Sequence, residues 1–309
     1  MILSVTLNPC VDHALFVNRL KLGDTNRVTL TETDAGGKGV NLSRVVSELG
    51  GRTVATGFLG GGPGAYIRNV LDAQGVLHDF VETVGDTRMN FSVEDDSGAP
   101  PTTFNEPGPQ ISTNEWEDLL KHVGRYAGSA WWVALGGSLP PCVPTDAFAQ
   151  LCRIAHEAGS KVLLDADGEP LRLGMEAGPD FVKPNAKEAG RLLGRTIDTL
   201  DQAREAALEL HKDGPGIVVI SRGAAGAVLV QDNRVFCGIS PTVEVKSTVG
   251  SGDSLLGGML WAMSESRSPA ESLCWGLAAG AATAATDGSE IARRPVVLRL
   301  LPEAKVEEI

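Results

Sequence analysis

The sequence predicts an α/β protein: a mostly parallel central sheet flanked by helices, with a small β-sheet set apart from it. Three observations lead there. Short apolar runs alternate with stretches of helical spacing in strand–helix–strand order, which implies parallel strands covered on both faces. At 309 residues the chain is long enough to bury a substantial core, and no repeat or low-complexity linker divides it. Two stretches, roughly 11–34 and 87–106, break the rhythm with strand pairs around polar turns, which no βαβ unit accommodates.

In chain order, apolar runs predict core strands at Ile2–Leu7, Thr53–Phe58, Ala130–Leu135, Lys161–Asp165, Phe181–Lys183 and Ile217–Ser221. The first helix, Val40–Leu49, places Val40, Val45, Val46 and Leu49 on one face and stops at Gly50. Further helical patterns run over Ala65–Ala73, Thr113–Tyr126, Thr145–Ala158, Ala186–Leu193 and Leu200–Lys212. Ser254–Met263 follows, with Leu255, Leu256, Met259, Leu260 and Met263 apolar, and then Pro269–Ala285. Outside this alternation, Ala14–Val17 pairs with Val28–Thr33, and Met89–Glu94 with Thr102–Asn105 across the turn at 95–100. On residues alone these are surface hairpins.

Asp plus Glu outnumber Lys plus Arg by 39 to 27, a net charge of −12, which argues against nucleic acid or an anionic membrane as partner. An anionic substrate would therefore need a local cationic pocket. Cys10, Cys142, Cys152, Cys237 and Cys274 are scattered, odd in number and without C-x-x-C spacing, so reduced thiols in a cytoplasmic protein are expected. The five histidines show no zinc pattern. The N-terminus lacks a basic segment followed by an apolar one, and no apolar run is long enough to span a bilayer.

The stretch Gly250-Ser251-Gly252-Asp253 opens the helix that carries Leu255 and Leu256. First-turn N–H groups have no intrahelical partner and sit at the positive end of the helix dipole, so they attract anions. A carboxylate beside such a turn repels an anion, unless Asp253 takes a proton from a hydroxyl while the amides hold a phosphoryl group. The residues also allow an ordinary helix start, with Asp253 as a dipole partner. Upstream, Ala35-Gly36-Gly37-Lys38-Gly39-Val40-Asn41 leads into another helix. It is no Walker loop, because Gly39 stands where magnesium needs Ser or Thr. Its readings are a turn with a solvated lysine, or a close-approach backbone with Asn41 aimed at sugar hydroxyls. Asn185 and Glu188 share one helix face and read as a capping box or as organisers of waters around a metal.

Together these segments resemble the PfkB (ribokinase-like) family of sugar kinases. Gly36-Gly37 through Asn41, Ser43, Gly50 and Gly60 fits the family's N-terminal signature, and Ser247-Thr248 through Asp253 to Gly258 its C-terminal one. Thr6–Asp12, Thr87–Asn90, Asn105–Pro109, Gly137–Pro140, Lys183–Glu188 and Ser221–Gly226 fall between them in the right order. The resemblance spans nearly the whole chain and implies a single ribokinase-like domain over 1–309. The small sheet would lid the sugar site and mediate homodimer contact.

The resemblance implies an ATP- and magnesium-dependent kinase of the branch that acts on phosphorylated ketohexoses. Asp253 would be the general base, with Gly250, Ser251 and Gly252 stabilising the transferring group. Asp12, Gly36, Gly37, Asn41 and Ser138 would position the sugar, and Arg27, Lys38 and Arg88 would meet its phosphate. Lys183, Asn185, Ser221, Gly223, Gly226 and Thr248 would bind ATP, with Leu277 and Ala281 as an adenine wall. Asn185 and Glu188 would order waters around magnesium. The chain departs from the family in carrying Lys38 where relatives have Gly, Gly136 where Ser is usual, and Arg222 where Leu is common. D-fructose 1-phosphate, giving fructose 1,6-bisphosphate, is the expected reaction, with tagatose 6-phosphate or fructose 6-phosphate as alternatives. A dinucleotide-dependent oxidoreductase, suggested by Gly60-x-Gly62-x-x-Ala65, and a non-catalytic sugar-phosphate sensor are the rivals from other classes.

Overall fold

The computed structural model describes residues 1–97, 101–212, 214–288 and 290–309. The chain opens with β1 (Ile2–Thr6), then leaves the core for β2 (Cys10–Val17) and β3 (Val28–Gly36) and returns through α1 (Lys38–Glu48) and β4 (Thr53–Leu59). After α2 (Gly61–Ala73) and the short β5 (Leu77–His78) and β6 (Val81–Glu82), it departs again as β7 (Arg88–Asp95) and β8 (Thr102–Asn105). The α/β rhythm resumes with α3 (Thr113–Ala127), β9 (Trp132–Gly136), α4 (Ala147–Glu157), β10 (Lys161–Asp165), α5 (Gly168–Met175), β11 (Phe181–Val182), α6 (Ala186–Leu193), α7 (Leu200–Lys212) and β12 (Ile217–Ser221). It closes with β13 (Ala227–Gln231), β14 (Arg234–Ile239), α8 (Ser251–Ser264), α9 (Pro269–Ala284), α10 (Arg294–Leu300) and β15 (Lys305–Glu308).

The large sheet has 11 strands in the order β15-β14-β13-β12-β11-β10-β9-β1-β4-β5, with β6 also on β4. From β12 to β5 the pairings are parallel. Side chains alternate between two cores, as a strand buried on both faces requires. Leu3, Val5, Val162 and Leu164 pack on one face with Leu119 of α3, Phe148 of α4 and Leu210 of α7. Ile2 and Leu163 point the other way, to Leu42 of α1, Leu255 and Leu260 of α8 and Leu273 of α9.

The sequence reading did not include β13, β14 and β15, which extend the sheet antiparallel beyond β12. Their cue is a two-residue hairpin in which Asp232 and Asn233 both adopt positive φ, the geometry of the turns that suit a twisted strand pair. The helices α5 and α10 were also absent from the expected set.

The small sheet runs β3-β2-β7-β8. It is not two separate hairpins: β2 and β7, far apart in sequence, pair in parallel over Cys10↔Arg88 to Val17↔Asp95. The expected turn at 95–100 lies in part (98–100) outside the described residues. Among the described residues no helix is long and apolar enough to cross a membrane.

Candidate active site

The carboxyl ends of the core strands converge on one edge of the large sheet, where ligands of open parallel sheets bind. Thr6, Gly136, Asp165 and Ser221 end β1, β9, β10 and β12, and Lys183 directly follows β11. Two cavities open there. One, of about 680 Å³, lies between this edge and the small sheet. The other, of about 530 Å³, lies between α8, α9 and the ends of β11 and β12. Lys38, Thr248, Val245 and Asp253 line both.

The first cavity takes two complete rows of the small sheet, Asp34–Asp12–Asn90–Asn105 and Glu32–Ala14–Ser92–Thr103. Asp12 is held in place: Asn90 Nδ2 donates to its Oδ1 at 3.0 Å and Cys10 Sγ at 3.2 Å. Burial, and then the adjacent Asp12 charge, push the Cys10 thiol up, so it stays a donor. Gly36 faces this pair, and a Cβ there would stand 2.2 Å from Asp12 Oδ2, so no larger residue fits. Arg88 is fixed by bonds from Nε to the carbonyl of Asn8 (3.2 Å) and from Nη1 to that of Glu106 (3.1 Å). Ser138 takes a bond from Asn8 Nδ2 at 3.2 Å. Gly37 also lines this space.

One expected residue lies away from the cavity, and two that line it have polar ends engaged within the chain. Arg27 lies exposed between β2 and β3, away from the cavity lining, because the small sheet carries that turn outward. Asn41 lines the cavity and donates from Nδ2 to Asp253 Oδ2 at 2.9 Å. Lys38 points to Asp165, with Nζ 2.9 Å from Oδ1, because α1 directs its first residue under the cleft.

The second cavity is lined by Lys183, Asn185, Glu188, Ser221, Gly223, Gly226, Thr248, Leu277 and Ala281. Arg222 is not part of that lining. Asn185 and Glu188 form the reciprocal capping box: Glu188 N donates to Asn185 Oδ1 at 2.9 Å and Asn185 N to Glu188 Oε2 at 2.7 Å. The structural role is thus filled by one carboxylate oxygen of Glu188, on a side chain that also borders the cavity.

Between the cavities, α8 begins at Ser251, and its cap Gly250 has φ +73°, a left-handed conformation suited to glycine. Gly250 lines the first cavity, and Ser251 and Gly252 the second. Asp253 sits in the first helical turn. Burial, then the like charge of Asp165, push its carboxyl up to about 6, against the opposing pull of Lys38, Asn41 and Lys183. It is therefore ionised at neutral pH and a better proton acceptor than an ordinary carboxylate.

Asp165 and Asn90 were missing from the candidates read in sequence. A carboxylate ending a parallel strand was the available signal for Asp165. Asn90 was visible only as part of the Thr87–Asn90 motif. The first glycine of the oxidoreductase reading is closed off: Gly60 N donates to Thr87 Oγ1 at 2.9 Å, and a Cβ at Gly60 would lie 2.2 Å from Gly85 O. Gly62 is exposed, with nothing within 4 Å of its Cβ position.

Two substrate-sized cavities meeting at a carboxylate and the N-terminal turn of a helix are the layout of a group-transfer enzyme. Residues 5–294 match the model of the pfkB family carbohydrate kinases, and the chain belongs to that family. It is a phosphotransferase. The chain is 36% identical over 262 residues, 84% of its length and 83% of the other's, to a 1-phosphofructokinase of Rhodobacter capsulatus. Its fold is similar to phosphofructokinase-2 from Escherichia coli in complex with fructose-6-phosphate, with a TM-score of 0.90, 29% identity and 98% of each chain covered. It is also similar to an Arabidopsis thaliana ribokinase complexed with ribose and ATP, with a TM-score of 0.80, 25% identity, and 97% and 98% of the chains covered.

Proposed function

We propose that this enzyme transfers the γ-phosphoryl group of ATP to the C6 hydroxyl of D-fructose 1-phosphate, giving fructose 1,6-bisphosphate, with Asp253 as general base. The observation that carries the reading is the placement of Asp253 on the wall common to both cavities, beside the left-handed Gly250. The sugar phosphate occupies the first cavity, with Asp12, Gly36, Gly37 and Ser138 around its hydroxyls and Arg88 at its phosphate. ATP occupies the second, its adenine against Leu277 and Ala281 and its phosphates toward Lys183 and Thr248. Asp253 accepts the hydroxyl proton as the oxygen attacks phosphorus in line. The first-turn amides of α8, with Gly250, Ser251 and Gly252, stabilise charge on the transferring group.

Magnesium fits this arrangement in a particular way. Among the described residues no group of three or more His, Cys, Asp or Glu could hold a metal ion. An ion on the ATP phosphates would thus keep most of its waters, ordered by Glu188 and Asn185. Bound there, such an ion would supply neutralisation of phosphate charge.

A second copy of the chain is proposed to pack against the small sheet, where Val28, Leu30 and Phe104 are exposed. The location proposed is the cytoplasm.

The test is ADP release with magnesium-ATP against fructose 1-phosphate, fructose 6-phosphate, tagatose 6-phosphate and fructose, compared by kcat/KM. Preference for fructose 1-phosphate upholds the proposal. Preference for fructose 6-phosphate or tagatose 6-phosphate would keep the chemistry and reverse the sugar in its pocket. No turnover on any of them would overturn the substrate class.

A further inference from the structure

Below the junction of the two cavities lies a charge cluster in which the mechanism above uses Lys183 but neither Asp165 nor Lys38. Asp165 is buried, and its Oδ1 meets two ammonium groups, Lys38 Nζ at 2.9 Å and Lys183 Nζ at 3.4 Å. Its Oδ2 is buried without a hydrogen-bond partner. Lys183 is 4% exposed, and a Cβ on Gly252 would lie 3.6 Å from its Nζ, which sets that charge against the anion-binding turn. Lys38 keeps 31% of its side chain exposed and lines both cavities, whereas Arg88 lines only the first. Lys38, Asp165 and Asp253 also wall a single hollow of about 10 Å³, so the three groups are close neighbours.

A buried carboxylate between two lysines is costly to assemble, and removing one partner strands the others. Here two positive charges share one negative one, which leaves a net positive site beside Asp253 and under the turn. Burial works against charge on Lys38, but Asp165, Asp253 and Glu188 together outweigh it and raise the lysine above its ordinary range. Burial likewise works against charge on Asp165, but Lys183 and Lys38 hold its carboxyl below the usual range. The cluster is thus a fixed cation pair in a site where charge develops during transfer.

We infer that Asp165 is a positioning residue for phosphoryl transfer: it holds Lys38 and Lys183 at the junction of the cavities and directs Lys38 to the group in flight, not to the phosphate already on the sugar. This rests on the kinase reading and assigns Lys38 a different task from the one its motif suggested.

The experiment compares Asp165→Asn, Lys38→Met and the double variant with the wild-type chain. In both single variants kcat falls about tenfold or more, while KM for the sugar phosphate moves less than about threefold, because the lost contact is made in the transition state. The double variant stays within about threefold of the weaker single one, because both changes remove one device. The acid limb of kcat moves to lower pH in Asp165→Asn, since Asp253 loses the like charge of Asp165, which in the wild-type chain opposes the pull of Lys38, Asn41 and Lys183.

A rise in KM at constant kcat in Lys38→Met would overturn the inference by placing that lysine on the resident phosphate. Independent, multiplying effects in the double variant would also overturn it. If Asp165→Asn does not fold, Lys38→Met decides alone through the same split, with partial recovery expected in Lys38→Arg. Wild-type turnover on a sugar phosphate tests the kinase reading separately. Should none be accepted, slow ATP hydrolysis, with water as acceptor, carries the same comparison.

Discussion

Every residue of β1, β4 and β9 in the large sheet is buried, whereas no residue of β7 or β8 in the small sheet is. Both sheets follow the same alternation of side chains, yet only the large one has helices on both faces. The small sheet has open edges at β3 and β8. The difference divides the labour of the site. Asp165 and Lys183 are fixed to the packed sheet, where small displacements cost rate, while the turn before α8 is tied to α9 by Lys246 N, which donates to Ala284 O at 2.9 Å. Asp12, Arg88 and Asn90, which line the first cavity, sit on the sheet with little core of its own.

The division is most sharply tested at Asp253. Asp253→Asn keeps the shape and removes the proposed base, so kcat is expected to fall roughly 100- to 10000-fold, measured by ADP release. A loss below tenfold would move the proton acceptor elsewhere. Next in size is a paired change of leucines. Leu3→Ala, at a position 0% exposed, costs about 2–5 kcal/mol in denaturant unfolding. Leu30→Ala in the small sheet, 54% exposed, costs within about 0.5 kcal/mol. Equal costs would mean that the small sheet is packed, by a second copy or otherwise. Arg88→Met raises KM for the sugar phosphate about 10- to 100-fold with little change in kcat, since the lost bonds are made in ground and transition state alike.

A smaller effect concerns stability. The folded carboxyl of Asp253, near 6, lies above its unfolded value, so its charge opposes folding once pH passes that range. Asp253→Asn therefore stabilises the fold by roughly 1–3 kcal/mol above about pH 6. The gain shrinks between pH 6 and 4 and is absent below. Thermal unfolding at several pH values checks the sign, and a gain at pH 4 equal to that at pH 8 would refute it.

Much of this arrangement was legible in the sequence. Strands buried on both faces announce themselves as apolar runs, and β10 and β12 were located to the residue. The helices that follow Gly37 and Gly250 were readable because small residues there precede helical spacing, although they begin at Lys38 and Ser251, two or three residues before the expected Val40 and Ser254. What escaped notice was non-local. The pairing of β2 with β7 joins residues nearly eighty positions apart, such as Cys10 and Arg88, and nothing in either segment encodes its partner. The contact between Asn41 and Asp253 and the cluster around Asp165 likewise depend on where α1 lands relative to β10. Lys38 shows the limit well: its motif suggested an anion, and only the fold supplied the carboxylate it faces.

The rows of the small sheet have a consequence for how such an enzyme tolerates insertions. Asp12 and Ala14 of β2 face the cavity in step with Asn90 and Ser92 of β7. Each strand is thus a reading frame of two. Losing one residue before Cys10 would advance β2 by one position and exchange Asp12 for Val11 or His13 beneath Gly36, with every hydrogen bond of the ladder still available. Two lost residues would restore the phase but shift its contents. A screen of one- and two-residue deletions in this segment would therefore separate folding from recognition, since the ladder survives a slip that the pocket does not.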